Sequence, residues 1–316
     1  MKRNYLDKLI LTCVDAGARG GLAELRNFSK YLALFSFEPD ETECNNLTSS
    51  IYPGCNYQKA ISYPLALYSS EGEAALHVSA KPSMSSLLEF DEQAFDSHFG
   101  LAAGSARWRN MLRQREVQKV KTITLDKWAE QNKINSIDFL KLDTQGTELE
   151  ILKGAEHLLA SGKINVIKTE FSMMPVYKSQ PHFSEIDTHL RNLGYVLVDS
   201  LFYPEVLFES GETSINSSIK IKEPPKLAAG GDAVYMLDSK KLNREAAFNT
   251  AIILASMGYL TKSYLLLKTN CGINDTEFRE LLKIAQAKPA RIKIKNLLVS
   301  IIPPVVRKII RRVRNP

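Results

Sequence analysis

Short apolar runs rich in β-branched residues alternate along this chain with segments of helical period. "LILTCVDAG", "ALFSFEP", "SIDFLKLD", "INVIKTEF", "YVLVDSLF" and "DAVYML" read as strands, and "GLAELRNFSKYL" reads as a helix joining the first two. Such alternation predicts βαβ units, and so an α/β fold: a doubly wound, mostly parallel sheet with helices on both faces. Between about residues 60 and 125 the pattern is less regular. There "ISYPLALYS" and "EAALHVS" read as strands, "KPSMSSLLEFDEQAF" as a loop entering a helix, and "VQKVKTITLDKWAE" as a strand running into a helix start. After Asp238, "LNREAAFNTAIILASMGYLTKSYLLLKTN" is apolar all round, with small residues spaced as in packed helices, which predicts a helical hairpin docked on the body. The expected division is a main α/β domain over 1–238, a helical extension over 239–288 and a basic amphipathic tail over 289–316.

Charge sharpens this division. The 316 residues carry 41 Lys+Arg against 35 Asp+Glu, yet residues 291–316 hold eight of the cations and no Asp or Glu. The remainder has 33 cations against 35 anions, a net of −2, so a basic body built to hold nucleic acid is not expected. Within the tail, Val305, Val306, Ile309, Ile310 and Val313 recur at helical spacing, with Arg307, Lys308, Arg311 and Arg312 on the other face. That pattern is too short and too charged to span a bilayer and suits peripheral contact with an anionic membrane surface. Packing against the body or homo-oligomerisation would use the isoleucines alone. The cysteines Cys13, Cys44, Cys55 and Cys271 form no CxxC pair, and the apolar stretch after Lys2 and Arg3 is broken by Asp7 and Lys8. A cytoplasmic protein is expected, at most at the inner face of the membrane.

The candidate chemistry lies at strand ends. "VDAGARGG" follows the first strand; Gly17 and Gly20 permit a tight turn, and the predicted helix beyond would offer unpaired N–H groups to a ligand. Asp15 ends that strand, and Arg19 stands where a dinucleotide fingerprint has its middle glycine. Glu38 ends the second strand about 20 residues further on, where an acidic side chain is the expected partner of ribose hydroxyls. Together these point to a nucleoside cofactor.

In "IDFLKLDTQGTELEILKGAEHLL" a strand carries Lys141 and ends in Asp143. Residues two apart share a strand face, so these charges point one way, while Leu140 and Leu142 point the other. Burying either charge alone is costly, so the two are expected to pair and to line a site beyond the carboxyl end of the strand. A compatible reading makes Asp143 or Thr147 a helix cap, with Thr147 to Glu150 a capping box. Glu170, in "KTEFSMMPVYKSQPHFSEID", repeats the strand-end carboxylate, and the "MMPVY" loop after it would form an acceptor wall. His157 and His182 belong to no metal-ligand spacing, so no metal is expected, and no GxSxG, HExxH or P-loop motif is present.

The string "IDFLKLDTQGTELEILKGAEHLL", with "FEPD", "DAGARGG" and "TEFSMMPVYKSQPHFSEIDTHLRNLGYVLVD", resembles the FkbM-type family of S-adenosylmethionine-dependent methyltransferases. The resemblance covers roughly residues 9–202 and the "GGDAVYML" strand. It implies a class I methyltransferase fold whose last strand is antiparallel, and methyl transfer to an oxygen of a sugar, glycan or other small-molecule acceptor. By position it brings Asp15, Gly17 and Gly20 to the methionine part of the cofactor, Glu38 to the ribose, Ala66 of "PLALYSSEG" near the adenine, and Asp143 to face cofactor and acceptor. Lys141, Asp143, Glu148 and Glu170 are its catalytic candidates. A nicotinamide-dependent oxidoreductase would share the glycine turn and Glu38, but Arg19 and the lack of a hydride-transfer dyad count against it. The non-enzymatic alternative is an inactive methyltransferase-like scaffold.

Overall fold

The computed structural model describes residues 9–99, 105–202, 214–216, 219–220 and 229–279. The basic tail and residues 280–288 lie outside the described residues. The strands in chain order are β1 (Leu11–Ala16), β2 (Leu32–Phe37), β3 (Lys59–Tyr63), β4 (Ala66–Leu67), β5 (Gly72–Ser79), β6 (Gln114–Ile123), β7 (Ile137–Leu142), β8 (Ile164–Ser172), β9 (Tyr195–Phe202), β10 (Ser214–Asn216), β11 (Ile219–Lys220) and β12 (Gly230–Leu237).

Seven of these form the main sheet, in the order β3-β2-β1-β7-β8-β12-β9. β12 runs antiparallel to both its neighbours, and the pairings from β3 across to β8 are parallel. This is the doubly wound, mostly parallel sheet that the alternation predicts, with the antiparallel last strand that the resemblance implies. The chain winds outward from β1 to β3 and then restarts at β7 on the other side. The switch point between β1 and β7 is where such sheets bind ligands, beyond the carboxyl ends of their strands. Both faces are covered, so the central strands are near-continuous apolar runs: Cys13, Val14, Phe139, Leu140, Val166 and Ile167 are all fully buried.

The helices are α1 (Glu41–Asn46), α2 (Glu92–Phe99), α3 (Ser105–Leu112), α4 (Leu125–Gln131), α5 (Glu148–Lys153), α6 (Glu156–Ala160), α7 (Phe183–Asn192), α8 (Arg244–Ser256) and α9 (Leu260–Leu266). Trp128 of α4 packs edge-on against Phe35 and Phe37 of β2. Ala247, Ala251 and Leu254 of α8 share one core with the sheet. Asp138 pins them together: it accepts from Thr12 N–H (2.8 Å) and from the side-chain amides of Asn165 (3.0 Å) and Asn249 (2.9 Å) on three different elements. A buried carboxylate is tolerated there because its oxygens are satisfied.

Three local expectations are corrected. No α-helix follows the glycine turn; the connection to β2 holds a single 3-10 turn, Arg26–Tyr31, so no helix N-terminus faces the turn. Gly17, Gly20 and Gly21 all take positive φ (73°, 86° and 77°), which keeps the chain out of helical geometry until too few residues remain before β2. The crossover helix after β7 is also broken in two. A Cβ at Gly154 would lie 2.1 Å from the Tyr68 carbonyl oxygen, so α5 stops there against the strand neighbourhood of β4. The capping box is absent: Thr147 makes no cap bond, and its hydroxyl donates to Thr144 Oγ1 (2.9 Å).

Candidate functional site

At the carboxyl ends of β1, β2 and β7 the chain forms a cleft lined by Gly17, Arg19, Glu38, Ala66, Asp143 and Gln145. One wall is apolar, from Ala66 and Leu67 of β4, Leu76 and Val78 of β5, and Leu87. The floor is tight. A Cβ on Gly17 would meet the Asp143 carbonyl oxygen at 1.9 Å, so only glycine lets the turn after β1 lie against the segment after β7.

Glu38 is buried at the end of β2, and its Oε1 accepts from Asp40 N–H (3.0 Å). Burial pushes its carboxyl up to about 7, against the pull of that N–H and of Arg19. Arg19 lies 4.0 Å from Glu38 but pairs more closely with Asp40 (3.2 Å) and Glu43 (3.0 Å), beside the N-terminus of α1. Its charge is therefore matched within the protein.

Lys141 answers for its own position in a core strand. Its ammonium pairs with Asp15 (3.4 Å) and Asp143 (3.2 Å). Burial alone would lower its pKa, but the carboxylates of Asp15, Asp143 and Glu24 outweigh burial and hold the amine above its usual value. Asp15 itself is sealed beneath the cleft, fully buried, and burial pushes its carboxyl up against the opposing pull of Lys141. Gly20 is exposed and outside the cleft lining. Of the six residues expected around a cofactor, four therefore meet in one cleft: Gly17, Glu38, Ala66 and Asp143.

A second cleft adjoins the first. Asp143, Gln145 and Ser83 line both. The second continues along Glu170, Phe171, Met174, Val176 and Tyr177, with Trp108 of α3 and Met84 packed beside them. Glu170 accepts from the Gln145 side-chain amide (2.8 Å), and burial followed by the charges of Asp143, Glu148 and Asp232 raises its pKa well above the usual carboxylate range. Glu148 is almost fully buried and accepts from Thr144 N–H (2.8 Å), Thr144 hydroxyl (3.0 Å) and Gly146 N–H (3.0 Å), so it holds the loop after β7 in place. The "MMPVY" loop, expected as an acceptor wall, lines this cleft through Met174, Val176 and Tyr177, whereas sequence reasoning passed over Gln145 and Trp108; the signal for Gln145 lay in the "LDTQGTE" string, between two residues already singled out.

The Methyltransferase FkbM domain profile matches residues 15–197, more than half of the chain. The chain belongs to the FkbM methyltransferase family. No curated protein matches it. Among solved structures it is similar to magnesium protoporphyrin IX methyltransferase (ChlM) from Synechocystis PCC 6803 with bound SAM, at 8% identity and a TM-score of 0.32, covering 73% of this chain and 71% of that one. A likeness that slight carries no argument. Family membership brings S-adenosylmethionine as cofactor, and the first cleft has features that would suit it: an acid at the end of β2 that could meet the ribose, a glycine that admits close backbone approach, and an apolar wall at Ala66 that could take the adenine. Membership also selects a methyltransferase over a nicotinamide-dependent enzyme.

Proposed function

We propose that this protein is an O-methyltransferase that moves the methyl group of S-adenosylmethionine to a hydroxyl of a sugar, glycan or other small-molecule acceptor. The observation that supports this reading best is the pair of adjoining clefts, which share Asp143 and Gln145. A cofactor in the first and an acceptor in the second would meet beside the carboxylates of Asp143 and Glu170. The cofactor supplies an already activated methyl group. The chain must align an oxygen behind that methyl, exclude water and remove the hydroxyl proton as it becomes acidic. Asp143 is paired with the Lys141 ammonium, which fixes it as a positioning group. Glu170, raised by burial and by neighbouring carboxylates, is the candidate base once ionised. Trp108, Met174 and Tyr177 give the acceptor an apolar face to lie on.

The test is incubation with S-adenosylmethionine and a panel of saccharides and hydroxylated small molecules, read by mass spectrometry for the gain of one methyl on oxygen. Glu170→Gln is expected to lower turnover by about 100-fold or more with cofactor affinity intact. Because the pKa of Glu170 is raised, wild-type activity should climb with pH, with an acid limb above the ordinary carboxylate range. If Glu170→Gln is active and Asp143→Asn is not, the base is Asp143. Full binding of cofactor with no transfer to any acceptor would favour the inactive scaffold. We propose further that residues 291–316 hold the enzyme at an anionic membrane surface, within reach of acceptors carried there.

A further inference from the structure

Resting on the reading that methyl transfer occurs where the two clefts meet, we propose that Gln145 is a positioning residue whose side-chain amide ties the Asp143 and Glu170 carboxylates into one aligned pair facing the acceptor hydroxyl. Its Nε2 lies 2.8 Å from Glu170 Oε2 and 3.4 Å from Asp143 Oδ1, so one NH2 group donates to both acids. Asp143 is held from its other oxygen by Lys141 at 3.2 Å. The chain Lys141–Asp143–Gln145–Glu170 thus runs from the end of β7 to β8 and closes the seam between the clefts.

The backbone at Gln145 supports a role for this side chain. Its φ is +60°, a left-handed conformation in which Asn or Gly is more at ease than Gln, and its carbonyl is fixed by the Ser86 hydroxyl at 2.8 Å. Strain of this kind persists at functional sites where the surroundings over-determine it. A turn needing only the backbone shape would be better served by Asn, whose amide stands one methylene short of Glu170. The acceptor oxygens of Glu170 and Asp143 orient the amide with its NH2 toward the acids, while the Tyr177 hydroxyl donates to the Met84 carbonyl (2.9 Å) and lies 3.5 Å from Gln145 Oε1.

The groups facing Glu170 are the carboxylates of Asp143, Glu148 and Asp232, the Lys141 ammonium and the Tyr177 phenol. Of these partners and Gln145, the amide is the neutral donor that favours the ionised acid by a direct hydrogen bond. Two variants separate the bridge from the turn. Gln145→Met keeps the length and loses the donors; Gln145→Asn relaxes the backbone and shortens the reach. In both, an NMR titration of glutamate-carboxyl-labelled protein, with the Glu170 signal identified by its loss in Glu170→Gln, should move the Glu170 midpoint upward by about half a unit or more. Turnover with the acceptor found in the panel should fall by about 10- to 100-fold, the loss appearing in kcat, and the acid limb of the pH profile should shift upward with the titration. The melting temperature of Gln145→Asn should equal or exceed that of the wild type. A Glu170 midpoint unchanged in Gln145→Met would overturn the proposal, as would wild-type turnover in Gln145→Asn. The titration needs no acceptor, so a shifted midpoint without methyl transfer would refute the proposed function and leave the bridge standing.

Discussion

Glu38 carries a pH dependence whose sign follows from its surroundings. Its folded pKa of about 7 lies above the ordinary 4.5, with burial as the leading cause. An ionised carboxylate accepts both ribose hydroxyl protons, so affinity for S-adenosylmethionine should rise as pH climbs through about 7. Glu38→Gln should flatten that rise and weaken binding at high pH by about 1.5–3 kcal/mol, the range for hydrogen bonds to a charged group; calorimetry at about pH 6 and about pH 8 measures both. Stability of the free protein moves the other way. Between 4.5 and about 7 the folded state holds this proton while the unfolded state has released it, so ionisation costs stability as pH rises. The melting temperature of Glu38→Gln relative to the wild type should therefore climb across that window; a fall would mean that the carboxylate holds the fold and not the ligand. Glu38 and Asp143 were legible in the sequence because a strand-end acid in an α/β chain has few other places to be. Gln145 was not, because a neutral turn residue gains meaning only when the fold sets an acid on either side of it.

The elements were legible where burial dictates pattern and obscure where glycine geometry overrides it. β1, β7 and β8 lie in the middle of the sheet, and their unbroken apolar runs announce them. The segment after the glycine turn has helical period in Leu22, Leu25 and Phe28, all buried, yet it forms only a 3-10 turn, because three positive-φ glycines use up the connection. The turn is thus a fitted loop, and its glycines should differ in consequence. At Gly17 a Cβ meets the Asp143 carbonyl oxygen at 1.9 Å, whereas at Gly20 it meets nothing within 4 Å. Gly17→Ala must push β1's turn away from the segment after β7 and should abolish cofactor binding, with a loss of about 1–3 kcal/mol or more in stability. Gly20→Ala has only its positive φ to contend with and should cost about 1 kcal/mol while retaining cofactor affinity. Chemical denaturation and calorimetry on the two variants check this, and equal affinities would remove Gly17 from the site.

At the scale of the whole molecule, the strand-end acids and the surplus positive charge belong to different parts of the sequence. The order β3-β2-β1-β7-β8-β12-β9 brings every strand-end acid of the site to one edge, and Trp108 joins it from a segment that no local pattern places there. No helix among the described residues is long and apolar enough to cross a membrane. The charge lies elsewhere: residues 291–316 carry eight Lys+Arg and no Asp or Glu, and the rest of the chain is close to neutral. If the sequence spacing there is helical, cations on one side and isoleucines and valines on the other would suit the headgroup boundary, where each Lys or Arg near an anionic surface contributes about 1 kcal/mol. Nucleic acid would engage the charges and leave the isoleucines in water; a protein partner would cover the isoleucines and leave the charges unmatched. The full chain is therefore expected to co-sediment with vesicles containing anionic lipid, to leave them in high salt as the attraction is screened, and to ignore neutral vesicles. A chain ending at Lys288 should stay in the supernatant while binding S-adenosylmethionine as the full chain does, which shows that its fold survives. Equal sedimentation of the two forms would move the membrane contact to the body, and loss of a dimer in place of loss of vesicle binding would make the tail an oligomerisation segment.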